Sequence, residues 1–163
     1  MRLDGRRLTA SRGLVSELRL RWYESPWTHG QGVTRGYRVV DQVEADWSDA
    51  DLDDAGVHVL RVVGVSHRSE AVQVAAFSPG EPVILMPEPD NLYDPWALGV
   101  RDVGLGLHVG YVAAVRSRAL VEEMRFRPLH ALVLREHRAR GVRVGLGIAA
   151  SFAPLLEPQS NVG

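Results

Sequence analysis

From Val57 onward the chain is a succession of short apolar runs, each bounded by glycine or proline. Val57–Val65 is β-branched and mostly apolar, Val83–Met86 stops at Pro87 and Pro89, and Val142–Ala150 is a third such run. Runs this short and this β-branched predict strands. Ala97–Val103 and Leu107–Val112 flank Gly104–Gly106, which suits a hairpin turn. Leu129–Arg135 predicts another strand, joined to Val142–Ala150 by a basic loop around Arg138 and Arg140. Two helices complete the region. Glu70–Phe77 is short, capped by Ser69 and ended by Ser78-Pro79-Gly80; Ala114–Arg125 places Val115, Ala119, Leu120 and Met124 near one face. The pattern predicts a mainly β fold with short helices (α+β), built as a small, strongly bent sheet or barrel.

Residues 1–56 differ in character. Residues 1–13 are rich in arginine with Gly5 and Gly13, which predicts a mobile arm. Leu18–Trp22 alternates with period two and predicts a strand with one buried face. Ser25–Gly36 holds one proline and three glycines and predicts a loop, with a second strand at Tyr37–Val43. Asp46–Gly56 is acidic and predicts a linker or a short solvated helix capped by Ser48. The expected organisation is an N-terminal extension over 1–56, a β-barrel domain over 57–155 and a tail over 156–163.

Two absences exclude chemistry. There is no cysteine, so there are no thiol nucleophiles, disulfides or thiolate metal sites. All 19 basic residues are arginine, which removes the phosphate-loop lysine and Schiff-base catalysis. No apolar run reaches the length of a membrane span and no secretory leader is visible, so a cytoplasmic location and no membrane partner are expected. Charge is segregated: net +5 over 1–40, −7 over 41–60, −3 over 61–110 and +4 over 111–163. A purely electrostatic DNA binder would be basic throughout.

The chemistry concentrates in Glu88–Val100, EPDNLYDPWALGV. Asn and Asp ahead of proline form turns through side-chain-to-backbone hydrogen bonds, so a rigid connector is one reading. The other is a binding rim: Asp94 accepts a hydrogen bond from a hydroxyl, Tyr93 offers a ring for stacking, and Asn91 offers donors to a phosphate oxygen. Calcium is excluded, because a loop starting at Asp90 would have Pro95 at the position that needs glycine and Arg101 where glutamate belongs. Ser66, in Gly64-Val65-Ser66-His67-Arg68, lacks the closing glycine of a nucleophile elbow. Gly145–Ala150 fits a dinucleotide fingerprint, but too little chain follows for the rest of the unit. The histidines show no metal-ligand spacing; no metal and no cofactor is expected. His130 and His137 are expected on a strand and a loop, not on one face. Trp96, directly after Asp94-Pro95, is the aromatic most suspect of a functional role.

The order of these pieces resembles the HIRAN domain. Val63-Gly64-Val65 is followed by Pro79-Gly80-Glu81-Pro82-Val83, then Glu88–Pro95, then Ala97-Leu98, then Val109-Gly110-Tyr111-Val112 and a helix. That domain occurs alone in bacteria and at the N-terminus of eukaryotic helicase-like translocases that remodel stalled replication forks. The resemblance implies a small OB-like β-barrel that binds the free 3′ end of single-stranded DNA. It implies that Asp94 receives the terminal 3′-hydroxyl, Tyr93 lines the pocket, Asn91 holds a phosphate, His67 stacks on a base, Tyr111 contacts a phosphate and Phe152 stacks on the next base. The chain departs from the family pattern at Leu92, where proline is usual. Ser66 and Ala114 stand where basic residues contact DNA; Arg68, Arg116 or the basic arm would have to compensate. The function expected is a non-enzymatic module for a single-stranded DNA 3′ end or 3′ overhang, in repair or fork processing, with a helicase or nuclease as partner. The alternative is a protein-interaction adaptor without intrinsic DNA binding.

Overall fold

The computed structural model of the chain describes residues 2–9, 17–27, 31–65, 73 and 76–158. They form β1 (Arg7–Leu8), β2 (Leu18–Pro26), β3 (Gly32–Val40), α1 (Asp49–Asp54), β4 (His58–Val63), β5 (Pro82–Pro87), β6 (Leu98–Asp102), β7 (His108–Val112), α2 (Ala114–Met124), β8 (His130–Ala139) and β9 (Val142–Ser151). The strands follow the order β1-β2-β3-β8-β5-β6-β7-β4-β9, and β9 also pairs with β8. The six strands β8-β5-β6-β7-β4-β9 therefore close on themselves as a barrel, which removes the open edges a sheet would expose. The fold is mainly β with few short helices, as the strand lengths and turn signals predict. The predicted helix at Glu70–Phe77 lies largely outside the described residues.

Alternation builds the barrel interior. Leu60 and Val62 of β4, Leu98 and Val100 of β6, and Leu146 and Ile148 of β9 point inward with Val109, Val133 and Phe77. The residues between them, such as Arg61 and Gly147, face out. Gly110 is required where β7 meets β4, because a Cβ there would overlap the carbonyl oxygen of Val63. Asp102, buried at the end of β6, accepts from the Leu107 amide at 2.6 Å and the Leu105 amide at 3.3 Å and shapes the hairpin to β7.

β8 has two partners on one edge. Its first residues pair with β5 (Pro82↔Leu132, Val83↔Ala131), and its second half pairs with β3 (Gly36↔Arg135 through Gly32↔Ala139). An irregularity between Val133 and Arg135 marks the change of partner. The N-terminal hairpin thus extends the sheet, and a second core forms from Leu3, Leu8, Leu18, Leu20, Tyr37 and Val39 with Leu132, Leu134 and Ala149 of the barrel strands.

Several sequence expectations change here. Residues 2–9 are not an arm: Arg7–Leu8 pairs with Leu18–Arg19, Leu3 and Leu8 are buried, and the Leu3 amide donates to the Tyr37 hydroxyl at 2.8 Å. Burying Leu3 and Leu8 contributes roughly 1.5–3 kcal/mol each, which offsets the cost of ordering so short a strand. The expected loop at Ser25–Gly36 is mostly strand, since β2 runs to Pro26 and β3 begins at Gly32. Gly32 is there because the Trp27 ring lies where its Cβ would be. The basic loop after Arg135 is also strand. β8 continues to Ala139 and reverses through Arg140 and Gly141, both at positive φ as a two-residue hairpin turn demands. His130 and His137 therefore lie on one strand. On α2 the buried stripe is Ser117, Leu120, Val121 and Met124, spaced three and four apart, and Val115 is 89% exposed. α1 bears the expected cap: Ser48 Oγ accepts from the Asp51 amide and the Asp51 carboxylate accepts from the Ser48 amide. It is more than a solvated linker, because Leu52 anchors it in the second core.

Candidate nucleic-acid interface

Strand register gathers the chemistry at one rim of the barrel. Pro87 opposes Leu98, Gly99 opposes Tyr111, Val112 opposes Val62, His58 opposes Ala150, and His130 opposes Ser151. The β5–β6 loop, α2, the 125–129 segment and Phe152 all emerge there. Asn91, Tyr93, Asp94, Tyr111 and Phe152 thus share an end of the molecule. The chain leaves β4 at Val63, opposite Tyr111; Ser66, His67 and Arg68 lie outside the described residues.

The loop is fixed by its own side chains. Asn91 Oδ1 accepts from the amides of Tyr93 (3.0 Å) and Asp94 (3.1 Å), and Asp94 Oδ1 accepts from the Trp96 amide at 2.8 Å. These are the bonds that Asn and Asp make in turns. Backbone bonds close the loop at its base, from the Glu88 amide to Ala97 O and from the Asn91 amide to Glu88 O. Held this way, the loop presents Leu92 and Tyr93 outward, and the Tyr93 ring is 98% exposed. Asp94 Oδ2 has no hydrogen bond within the loop that would occupy it.

Glu88 ties the loop to the barrel wall. Its Oε1 accepts from the Tyr111 hydroxyl at 2.9 Å and from Asn91 Nδ2 at 3.3 Å, and Oε2 lies 4.0 Å from His108 Nε2. The carboxylate crosses Gly99, where a Cβ would force the Glu88 carboxylate to shift. The His108 and Tyr111 rings meet edge to face at 4.5 Å. Tyr111 and one Asn91 amide hydrogen are therefore engaged within the protein. Beside the loop, Pro87, Pro89, Pro95, Trp96, Val121 and Met124 line an open apolar groove of about 650 Å³. The Arg118 guanidinium stacks on Trp96 at 4.9 Å and Arg125 stands 6.0 Å from it.

Phe152 sits in a separate cluster on the same rim. Arg127 lies over its ring at 4.7 Å and His58 meets it edge-on at 6.3 Å. Asp53 Oδ1 bonds both His58 Nδ1 (2.5 Å) and Arg116 Nη2 (2.6 Å), joining α1, β4 and α2. Desolvation pushes the Asp53 carboxyl up, but the hydrogen bonds from His58 and Arg116 and the arginine charge together hold it below its ordinary 3.8. A lowered folded value means the stabilisation is present above the unfolded value and is lost as pH falls through the folded one. Asp53→Asn should therefore flatten the fall in urea midpoint as pH drops below 3.8. An acid limb as steep as that of the wild type would exclude this role. Among the described residues no group of His, Asp or Glu could hold a metal ion, and no helix is long and apolar enough to cross a membrane.

A family model for the HIRAN domain matches residues 55–153, more than half of the chain. The chain belongs to the HIRAN family. Two solved structures are similar to it. The HIRAN domain of human HLTF is 23% identical, covers 58% of this chain and 74% of that one, and has a TM-score of 0.44. A structural-genomics target from Lactobacillus plantarum is 20% identical, covers 56% and 89%, and has a TM-score of 0.45. No curated protein matches the chain.

The HIRAN domain is a nucleic-acid-binding module, and the matched region contains the whole rim loop. Two features of this HIRAN chain escape a reading of the sequence. Glu88 opens the stretch that carries the family resemblance, but its sequence gives no sign that its carboxylate ties the loop to Tyr111. The pairing of Trp96 with Arg118 and Arg125 joins residues far apart in sequence, although Trp96 stands out by itself.

Proposed function

We propose that this HIRAN domain recognises the 3′ end of single-stranded DNA at the β5–β6 loop. One observation carries the reading. Asn91 and Asp94 lock the loop by bonds to its own backbone, yet the second oxygen of Asp94 and the exposed face of Tyr93 stay available to a ligand. A terminal hydroxyl would donate to Asp94 Oδ2, and the last base would stack on Tyr93 for about 1–3 kcal/mol. The remaining amide hydrogen of Asn91 would meet a phosphate oxygen. Tyr111 would contribute through its tie to Glu88, and Phe152, with Arg127 over its ring, would serve the next nucleotide. By family resemblance His67 would stack on a base, while Ser66 stands where the family has a cation and Arg68 would supply the charge in its place. A place in repair or fork processing, beside a helicase or nuclease, belongs to the same proposal.

Fluorescence anisotropy with labelled 3′-overhang, 5′-overhang and blunt DNA at two salt concentrations tests it. The 3′ overhang should bind most tightly at both, and equal affinity for the two overhangs would remove end recognition. A second reading, a protein-interaction adaptor, is favoured by the apolar groove at Trp96 and Met124, which suits an apolar side chain of a partner. An adaptor would not distinguish the DNA ends.

A further inference from the structure

We propose that the outer face of the strands β2-β3-β8-β9-β4 is a second nucleic-acid contact, holding phosphates of a single strand along one cross-strand row. The inference rests on the nucleic-acid role of the domain and not on the 3′-end assignment. Register sets the row: Tyr23 pairs with Gly36, Gly36 with Arg135, Arg135 with Gly147, and Gly147 with Arg61. Directly paired residues project to the same side of a sheet. Leu60 and Val62 fill the barrel, so Arg61 faces outward. The Arg135 side chain lies where a Cβ on Gly147 would be, which places it on that same outer side. In the next row Thr34 Oγ1 meets His137 Nδ1 at 2.7 Å, and His137 lies beside Gly145. At the far end the Arg38 guanidinium covers the Tyr23 ring at 4.4 Å. Four interstrand spacings make the row ~19 Å long.

Charge decides what such a row takes. Most arginines of this protein already face a carboxylate: Arg21 pairs with Glu44, Arg116 with Asp53 and Arg143 with Glu136. Arg61 and Arg135 have no acidic partner among the described residues, and Arg135 Nε is buried without a hydrogen-bond acceptor. The two carboxylates carried by these strands lie on the opposite side, Glu24 across from Arg35 and Glu136 turned inward to the buried Arg143, while at the β2 edge Glu44 and Asp46 already pair with Arg21 and Arg38, so the unpaired charge is at Arg135 and Arg61. The positive charge of this face is that of the Arg61 and Arg135 guanidinium groups; burial, and after it the charge of Arg135, hold His137 below its ordinary value. Guanidinium groups without an internal anion bind phosphate oxygens bidentately. Gly147 and Gly145 leave room for the Arg135 and His137 side chains, which lie across them on this face. A flexible single strand can follow the twist of such a face.

The test uses the full chain with Arg61→Gln and Arg135→Gln combined, and separately Arg61→Glu, a charge reversal at an exposed position outside both cores. The probe is a labelled oligothymidylate with a blocked 3′ end, titrated across a salt series. Losing two phosphate contacts should lower the slope of log K against log salt by about 1.4 and the low-salt affinity by about tenfold. Arg61→Glu should also weaken binding. An unchanged slope in the double variant overturns the proposal, as does binding of polyglutamate in place of the oligonucleotide. The 3′-overhang preference should survive both variants, because the rim loop is untouched. A wild type without end preference whose salt slope still drops in the double variant would sink the 3′-end reading and leave this surface standing.

Discussion

Asp94→Ala should lower affinity for a single strand ending in a 3′-hydroxyl by roughly 10- to 100-fold, with little loss for one ending in a 3′-phosphate. A hydrogen bond to a charged acceptor contributes about 1.5–3 kcal/mol, and every 1.4 kcal/mol is tenfold in affinity. The hydroxyl donates to the carboxylate; a terminal phosphate cannot, and its charge is repelled by it. Removing Asp94 therefore costs the first ligand a bond and relieves the second of repulsion. The side chain also accepts from the Trp96 amide at 2.8 Å, so alanine loosens the turn as well. Asp94→Asn separates the two effects, since its amide oxygen still caps Trp96 while the charge is gone. Anisotropy titrations of both ends against all three proteins measure this. Equal losses for the two ends in both variants would exclude a hydroxyl role for Asp94.

Glu136→Ala should destabilise the fold by roughly 3–5 kcal/mol, because it leaves a buried guanidinium without its carboxylate. Glu136 is 2% exposed and Arg143 3%, and they are 3.0 Å apart. Arg138 reaches the same carboxylate at 2.6 Å and Arg35 approaches at 3.8 Å. The cluster sits where β3, β8 and β9 meet, so one carboxylate balances arginines from all three strands. For a chain of this length the loss corresponds to a melting temperature lower by roughly 6–20 °C. Glu136→Leu combined with Arg143→Met should be markedly less destabilised than the single variant, since an apolar pair of similar volume needs no counter-charge. Urea unfolding of the three proteins decides it: a single variant within about 1 kcal/mol of wild type would mean that water or other groups already balance Arg143.

Much of the rim loop is legible in the sequence. Asn91 and Asp94 act on amides two and three residues ahead, and that reach is set by side-chain length. Likewise, Ser48 caps α1 through a residue three positions on. Strand positions in the barrel follow from alternation, because β-branched residues favour the pleated backbone wherever one face is buried. The N-terminal region is less legible for a related reason. Gly32, Gly36 and Pro26 resemble loop residues; pairing with β8 keeps the two glycines extended, and pairing with β3 does so for Pro26.

What the sequence alone determined about this protein is therefore local: where strands run, how α1 begins and which side chains lock the β5–β6 turn. Tertiary structure decided the closure of the barrel, the two partners of β8, the Tyr111–Glu88 tie across 23 residues and the alignment of Arg61 with Arg135 over Gly147. The physical reason is reach. A propensity or a turn bond acts over a few residues, whereas strands far apart in sequence pair only where the summed burial of two cores exceeds the entropy of bringing them together.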